Sequence, residues 1–366
     1  MKFLFQNLLF QSPLVNLFSL TTIFISLHCG NAVNLPNNET IPALIVFGDS
    51  IVDSGNNNYI GTYVKCNFLP YGRDFGSGNQ PTGRFSNGLV PSDIIASKFG
   101  VKKLLPPYLD PNLQLEDLLT GVSFASGGAG YDPLTSQLAL VLSLSDQLNM
   151  FKEYKNKIKE AVGEMRMEMI ISKSVYIICI GADDIANTYS QTPFRKPQYD
   201  IPAYTNLLIS YALDFIQELY GLGARRIGVI GMPYIGCVPS QRTIGGGMYR
   251  HCSGLENEAA IVFNSKLVSQ MDAFENKFPE AKLVYLDIYN PFMHMIQNPD
   301  KYGFEVVDEG CCGTGEMEAG ILCNSYSLNL CSNPSSYIFW DSYHPTQEAY
   351  NLLCSMVLDD KIKDFF

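Results

Sequence analysis

Two short stretches at opposite ends of the chain carry the residue types of a nucleophile and its proton relay. The first is Phe47-Gly48-Asp49-Ser50, in which a serine follows an apolar, β-branched run. A side chain just past a buried strand lies at the edge of a sheet where ligands collect, and the backbone N–H groups there can meet an anion. Ser50 is so placed to attack a carbonyl, although serine and Asp49 are equally suited to capping a helix. The second stretch is Trp340-Asp341-Ser342-Tyr343-His344-Pro345. In a tight loop an aspartate three residues before a histidine can accept the Nδ1 proton, which leaves Nε2 as a base. The plainer reading has Asp341 capping a turn. His251 and His294 have no carboxylate at such spacing on a strand-end loop and are read as structural or exposed. The isolated histidines supply no recognisable metal-ligand set, so no metal is expected.

Two further stretches could stabilise the negative charge that a serine creates on an ester. Phe124-Ala125-Ser126-Gly127-Gly128-Ala129-Gly130 is a turn whose backbone N–H groups can approach a ligand closely. Gly181-Ala182-Asp183-Asp184 places a polar side chain at what should be the same sheet edge. Either is also an ordinary turn when taken alone. All four stretches fall at strand ends or in a terminal loop, and a parallel sheet gathers such places in space.

The elements that must do the gathering are legible as a rhythm. Five short apolar runs rich in β-branched residues (43–47, 122–125, 175–180, 226–230 and 282–286) read as strands buried on both faces. Helical patterns run over 91–99, 136–161, 203–222, 256–278 and 346–358. Alternation of this kind predicts an α/β fold, a three-layer α/β/α sandwich around a five-stranded, mostly parallel sheet. The segments 56–87 and 299–334 are rich in Gly, Pro, Asn and Cys and read as long surface loops.

Residues 1–32 combine Lys2, an apolar stretch too short to span a bilayer, and small residues Gly30 and Ala32, the pattern of a secretory signal with a mature start at Val33. The remainder, 33–366, shows no internal boundary and is expected to form one domain. No later apolar run reaches about 18 residues, so no transmembrane segment is expected. The net charge of −11 repels phosphate backbones and argues against nucleic-acid partners. Ten cysteines suit an oxidising destination; removal of Cys29 leaves an odd number, so at least one thiol is free or pairs between chains. Cys237 and Cys252 flank one loop, and Cys311, Cys312, Cys323 and Cys331 crowd another, both in the manner of local disulfide staples; a zinc site is the rival for the second, but adjacent Cys311 and Cys312 without a C-x-x-C pair suit tetrahedral ligation poorly. Asn38 begins an Asn-Glu-Thr glycosylation acceptor.

The chain resembles the GDSL esterases and lipases, the plant secreted branch of the SGNH hydrolases. The resemblance is carried by Val46-Phe47-Gly48-Asp49-Ser50, Asn56-Asn57-Asn58, Pro70-Tyr71-Gly72-Arg73-Asp74-Phe75, Pro81-Thr82-Gly83-Arg84-Phe85-Ser86-Asn87-Gly88 and Cys311-Cys312-Gly313-Thr314-Gly315. It implies a flavodoxin-like SGNH fold, no cofactor, and an ester substrate: a lipid, a small acyl compound or an acetylated polysaccharide. Ser50 would be the nucleophile, His344 the base then acid, and Asp341 its orienter. The N–H groups of Ser50 and Gly127 would form part of the oxyanion hole. The sequence lacks G-x-S-x-G around Ser50, so the sharp nucleophile elbow of the α/β-hydrolases is not expected. Where the superfamily's third block reads Gly-x-Asn-Asp, this chain has Asp183; a charged carboxylate would repel the oxyanion. The expectation is a protonated Asp183, held neutral by a dry pocket and neighbouring Asp184. Ser123 also stands where relatives often carry Asn, away from the proposed catalytic atoms. The function expected is secreted ester hydrolysis. Its rivals are acyl transfer or polysaccharide deacetylation at the same site, and a non-catalytic cell-wall glycoprotein; oligomeric state is not readable.

Overall fold

The computed structural model describes residues 39–366 apart from 328, so the leader at 1–32, the start at Val33 and the Asn38 acceptor lie outside the described residues. Four strands, β1 (Leu44–Gly48), β2 (Val175–Cys179), β3 (Arg226–Ile230) and β4 (Lys282–Leu286), form a parallel sheet in the order β1-β2-β3-β4. Ten α-helices among the described residues accompany them: α1 (Pro91–Lys98), α2 (Leu115–Thr120), α3 (Pro133–Ala139), α4 (Leu144–Val162), α5 (Glu164–Lys173), α6 (Ile201–Gly221), α7 (Pro239–Gly245), α8 (Gly254–Lys277), α9 (Tyr289–Gln297) and α10 (Gln347–Lys361).

Strand alternation divides the core in two. Ile45, Phe47, Tyr176, Ile178, Ile227 and Val229 pack on one face with apolar residues of α4, α6 and α8. Leu44, Val46, Val175, Ile177 and Cys179 pack on the other with α1 and α10. Both faces are covered, which is why these strands read as continuous apolar runs. The expected three layers are present.

The expected strands at 226–230 and 282–286 coincide with β3 and β4, that at 43–47 is shifted by one residue from β1, and that at 175–180 runs one residue past β2. The run 122–125 does lie beside β1: Val46 N–H donates to Val122 O at 3.2 Å and Phe124 N–H to Val46 O at 2.7 Å. It forms only isolated bridges, not a fifth strand. Its outer carbonyls, Ser123 O and Ala125 O, accept the Asn56 side-chain amide at 2.9 and 2.8 Å, and Ser123 N–H donates to Pro106 O and Ser123 O accepts from Tyr108 N–H, both at 2.9 Å, so a side chain and a single backbone bridge finish the sheet edge in place of a ladder. Counting this run second in the chain, the spatial order is 2-1-3-4-5, the flavodoxin-like order. Its topological switch point falls between β1 and β2, so Ser50 and Asp183 leave adjacent strand ends there.

Two expectations need correction. The single helix read over 136–161 is broken at Leu140, whose φ is 55°, and restarts as α4 with Ser143 as N-cap and Asp146 reciprocating. An apolar run through the break, Leu140 to Leu144, masked that capping pair. The loop read over 299–334 contains β5 (Val306–Gly310), which pairs in parallel with β6 (Tyr337–Phe339) in a second small sheet. Its half-exposed Val-Val-Asp-Glu-Gly sequence has no buried face to reveal it.

Gly48, the last residue of β1, has a φ of 153°, and a Cβ there would sit 2.1 Å from Cys179 O. Gly163 also has a positive φ, 83°, but open space around it. Gly48→Ala is therefore expected to cost about 3 kcal/mol or more and Gly163→Ala about 1 kcal/mol, compared by urea denaturation. Equal costs would show that close approach to β2 does not fix this strand end.

Candidate active site

Ser50 follows β1 immediately, and the end of that strand is held from both sides. Gln147 of α4 is fully buried; it accepts from Gly48 N–H and donates to Gly48 O, both at 2.9 Å. Asp49 N–H donates to Cys179 O on β2 at 3.0 Å, while Asp49 Oδ1 accepts from Ile51 N–H. The Ser50 N–H itself donates to no protein group among the described residues.

Ser50 Oγ lies 2.8 Å from His344 Nε2. His344 Nδ1 lies 2.8 and 3.0 Å from the two oxygens of Asp341, so residues far apart in sequence meet in one hydrogen-bonded run. Asp341 Oδ1 also accepts the N–H groups of Tyr343 and His344 at 2.8 and 2.7 Å. This is an Asx-type turn, and it is the local reason that Asp-x-x-His spacing works: the same carboxylate that folds the loop orients the ring. Trp340 N–H closes the turn onto His344 O at 2.7 Å.

One contributor had no signal in the sequence beyond its place in a matching block. Tyr71 is fully buried; its hydroxyl donates to Asp341 Oδ2 at 2.5 Å and accepts from Gly320 N–H at 2.8 Å. The Asp341 turn is further pinned by Cys311 N–H to Phe339 O and Cys312 N–H to Trp340 O, both 3.0 Å. Both cysteine loops are stapled as expected, by Cys237–Cys252 in one and, with a pairing that the sequence left open, by Cys311–Cys331 and Cys312–Cys323 in the other. Cys66, Cys179 and Cys354 are free and buried.

The other matching blocks are scaffolding for this site. Arg84, buried, makes a forked ion pair with Asp93 of α1, with Nε to Oδ2 at 2.7 Å and Nη2 to Oδ1 at 2.8 Å. It thereby fixes Phe85, whose ring lies 5.0 Å from that of His344. Asn57 donates to Gly127 O at 2.9 Å and to Val64 O at 2.8 Å, and so ties the loop after Ser50 to the glycine turn. His251 and His294 are exposed, and His294 Nδ1 pairs with Tyr302.

The oxyanion donors fall less simply. Gly127 N–H donates to Asp53 Oδ2 at 3.1 Å, so it can serve an oxyanion only by sharing its proton with that carboxyl. Burial pushes Asp53 up to about 6. Asp183 lies at the same cavity as Ser50 and Asp49, and one of its oxygens accepts from Asn187 Nδ2 at 2.6 Å. Burial pushes it up to about 6 against the opposing pull of the His344 charge. The neighbour expected to assist, Asp184, does not: it faces away, accepting from Tyr131 N–H, Asp132 N–H and Thr135 Oγ1 at 2.7, 3.1 and 2.6 Å. Adjacent residues on one helical turn point in different directions, and the carboxyl sharing the cavity with Asp183 is Asp49, which burial and then the charge of Asp183 push well above the usual range. Among the described residues no group of His, Cys, Asp and Glu could hold a metal ion, and no helix is long and apolar enough to cross a membrane.

Three relatives from Arabidopsis thaliana are similar to this chain over nearly all of its length. The GDSL esterase/lipase EXL3 is 52% identical over 334 residues, covering 91% of either chain. A second GDSL esterase/lipase is 51% identical, covering 90% of this chain and 82% of its own. The GDSL esterase/lipase EXL2 is 46% identical, covering 91% and 92%. An extracellular lipase from Streptomyces rimosus has a distantly similar solved structure, with 14% identity and a TM-score of 0.41 over 87% of this chain and 100% of that one. Residues 44–356 match the family model for GDSL-like lipase/acylhydrolase, and with that match spanning the sheet, the serine and the Asp-x-x-His loop, the chain belongs to this family of ester-bond hydrolases.

Proposed function

We propose that Ser50 is the nucleophile, His344 the general base and then acid, and Asp341 its orienter. The observation that carries this reading is the unbroken hydrogen-bonded run from Ser50 Oγ through His344 to Asp341. Ser50 Oγ attacks the ester carbonyl as its proton passes to His344 Nε2. The tetrahedral intermediate collapses, breaking the bond to the alcohol oxygen, which takes the proton from His344. Water, deprotonated by the same nitrogen, then attacks the acyl-enzyme; the bond to Ser50 Oγ breaks, Oγ takes the proton back from His344, and the acid leaves. Asp341 stays ionised throughout, stabilising the imidazolium.

The oxyanion is held by the Ser50 N–H, by the Gly127 N–H in competition with Asp53, and by a protonated Asp183 donating through its free oxygen. Protonation restores the donor that asparagine would supply. Tyr71 is a positioning residue: its bond to Asp341 Oδ2 fixes the carboxylate that fixes the ring. The enzyme acts after export, as one hydrolase domain beyond the leader at 1–32. Three disulfides among the described residues support an oxidising compartment.

A fluorophosphonate probe should label the wild type and not Ser50→Ala, and Ser50→Ala should lose about 10⁴-fold or more in kcat on p-nitrophenyl esters. An unlabelled wild type would instead favour a non-catalytic wall glycoprotein. Tyr71→Phe is expected to lower kcat roughly tenfold with little change in KM, because a hydrogen bond to a buried charge is lost; a change in KM alone would contradict positioning. For Asp183 the protonated form is the donor, so its help fades as pH rises through about 6. The kcat/KM ratio of Asp183→Asn to wild type should climb across that value, by up to about 10²-fold. A ratio independent of pH would refute the proton.

A further inference from the structure

A cavity opens at Ser50 and runs away from it between the strand ends and α10. Its polar lining includes Ser50, Asp49, Asp183 and the Tyr343 hydroxyl. The rest of its wall includes Ile51, Cys179, Ile230, Ile288, Tyr350 and Leu353, and these six residues also line a second cavity, so the two are adjacent. The second is closed in by Ile95, Leu286 and Val357 among others. Burial pushes the Cys179 thiol well up, so it is uncharged, and the Tyr350 hydroxyl, also neutral, has no partner among the described residues. A mostly apolar space beside a nucleophile is suited to a hydrocarbon chain.

Resting on the reading of Ser50 as nucleophile, we infer that this tunnel is the acyl subsite and that the substrates are esters of medium-chain fatty acids. The acyl group, not the alcohol, is the occupant. The alcohol must leave and water must enter between the two half-reactions, which an apolar passage under α10 hinders, while the acyl group stays attached to Ser50 across both. The tunnel follows α10 from Tyr350 to Leu358, about 12 Å at the helical rise, and an extended chain advances about 3.5 Å per three bonds, which gives room for roughly ten carbons. Each methylene drawn from water into the tunnel should raise kcat/KM by up to about fourfold until it is filled.

The test is kcat/KM of the purified protein on p-nitrophenyl esters from acetyl to palmitoyl, each below its aggregation concentration, with fluorophosphonate labelling alongside. The wild type should prefer octanoyl or decanoyl to acetyl by at least tenfold. Leu353→Trp, which narrows the shared wall, should cut the decanoyl-to-acetyl ratio at least tenfold. Val357→Phe, at a half-exposed position that tolerates bulk, should move the maximum to shorter chains. A protein that labels at Ser50 yet shows a flat or acetyl-centred profile overturns the tunnel alone, as does a maximum unmoved in Val357→Phe. Absence of both labelling and turnover overturns the nucleophile reading and the tunnel with it.

Discussion

The structure turns on burying the Asp341 carboxyl completely. An ionised carboxylate removed from water is tolerated only when its oxygens are saturated with donors. Here two backbone N–H groups, the His344 ring and the Tyr71 hydroxyl supply them. Those donors come from distant parts of the chain, so meeting that demand obliges the loop around Tyr71, the cysteine-rich loop and the terminal Asp-x-x-His turn to converge. The disulfides at Cys311 and Cys312 hold that convergence in a region with little core of its own.

Around this relay the fold supplies direction more than chemistry. A parallel sheet in flavodoxin-like order brings the ends of β1 and β2 side by side at its switch point, and each hands over to a short irregular segment. The long loop after Ser50 then does what a fifth full strand would do, with Asn56 satisfying the outer carbonyls of the run 122–125 and Asn57 gripping the glycine turn. Three successive asparagines look like loop composition in the sequence; in the structure Asn56 and Asn57 are buried clamps.

The electrostatics of the site run against its overall acidity. Asp49, Asp53, Asp183 and Asp184 crowd the ends of two strands in a chain of net charge −11, and burial shifts all four upward. Carboxyls in such a place are best accommodated by holding protons, and a carboxylic acid, unlike a carboxylate, can donate to a developing oxyanion. The substitution of Asp183 for the superfamily's asparagine is thus compatible with hydrolysis without any change of scaffold.

The sequence by itself determined the sheet, because strands buried on both faces must be apolar throughout, and β3 and β4 coincide with their runs residue for residue. It determined Asp341 and His344 as a pair, since their coupling is local, made within one turn. Ser50 was marked by its place after a strand and by its matching block. Only the tertiary structure decided which group completes Asp341, because Tyr71 lies 270 residues away and nothing in its neighbours encodes that distance. It alone decided that Asp184 turns from the cavity while Asp49 faces it, since side chains at a strand end are aimed by the packing of elements from elsewhere. The break at Leu140 and the strand Val306–Gly310 escaped for a related reason: an apolar run hides a helix start, and a half-exposed strand has no period of its own until its partner is in place.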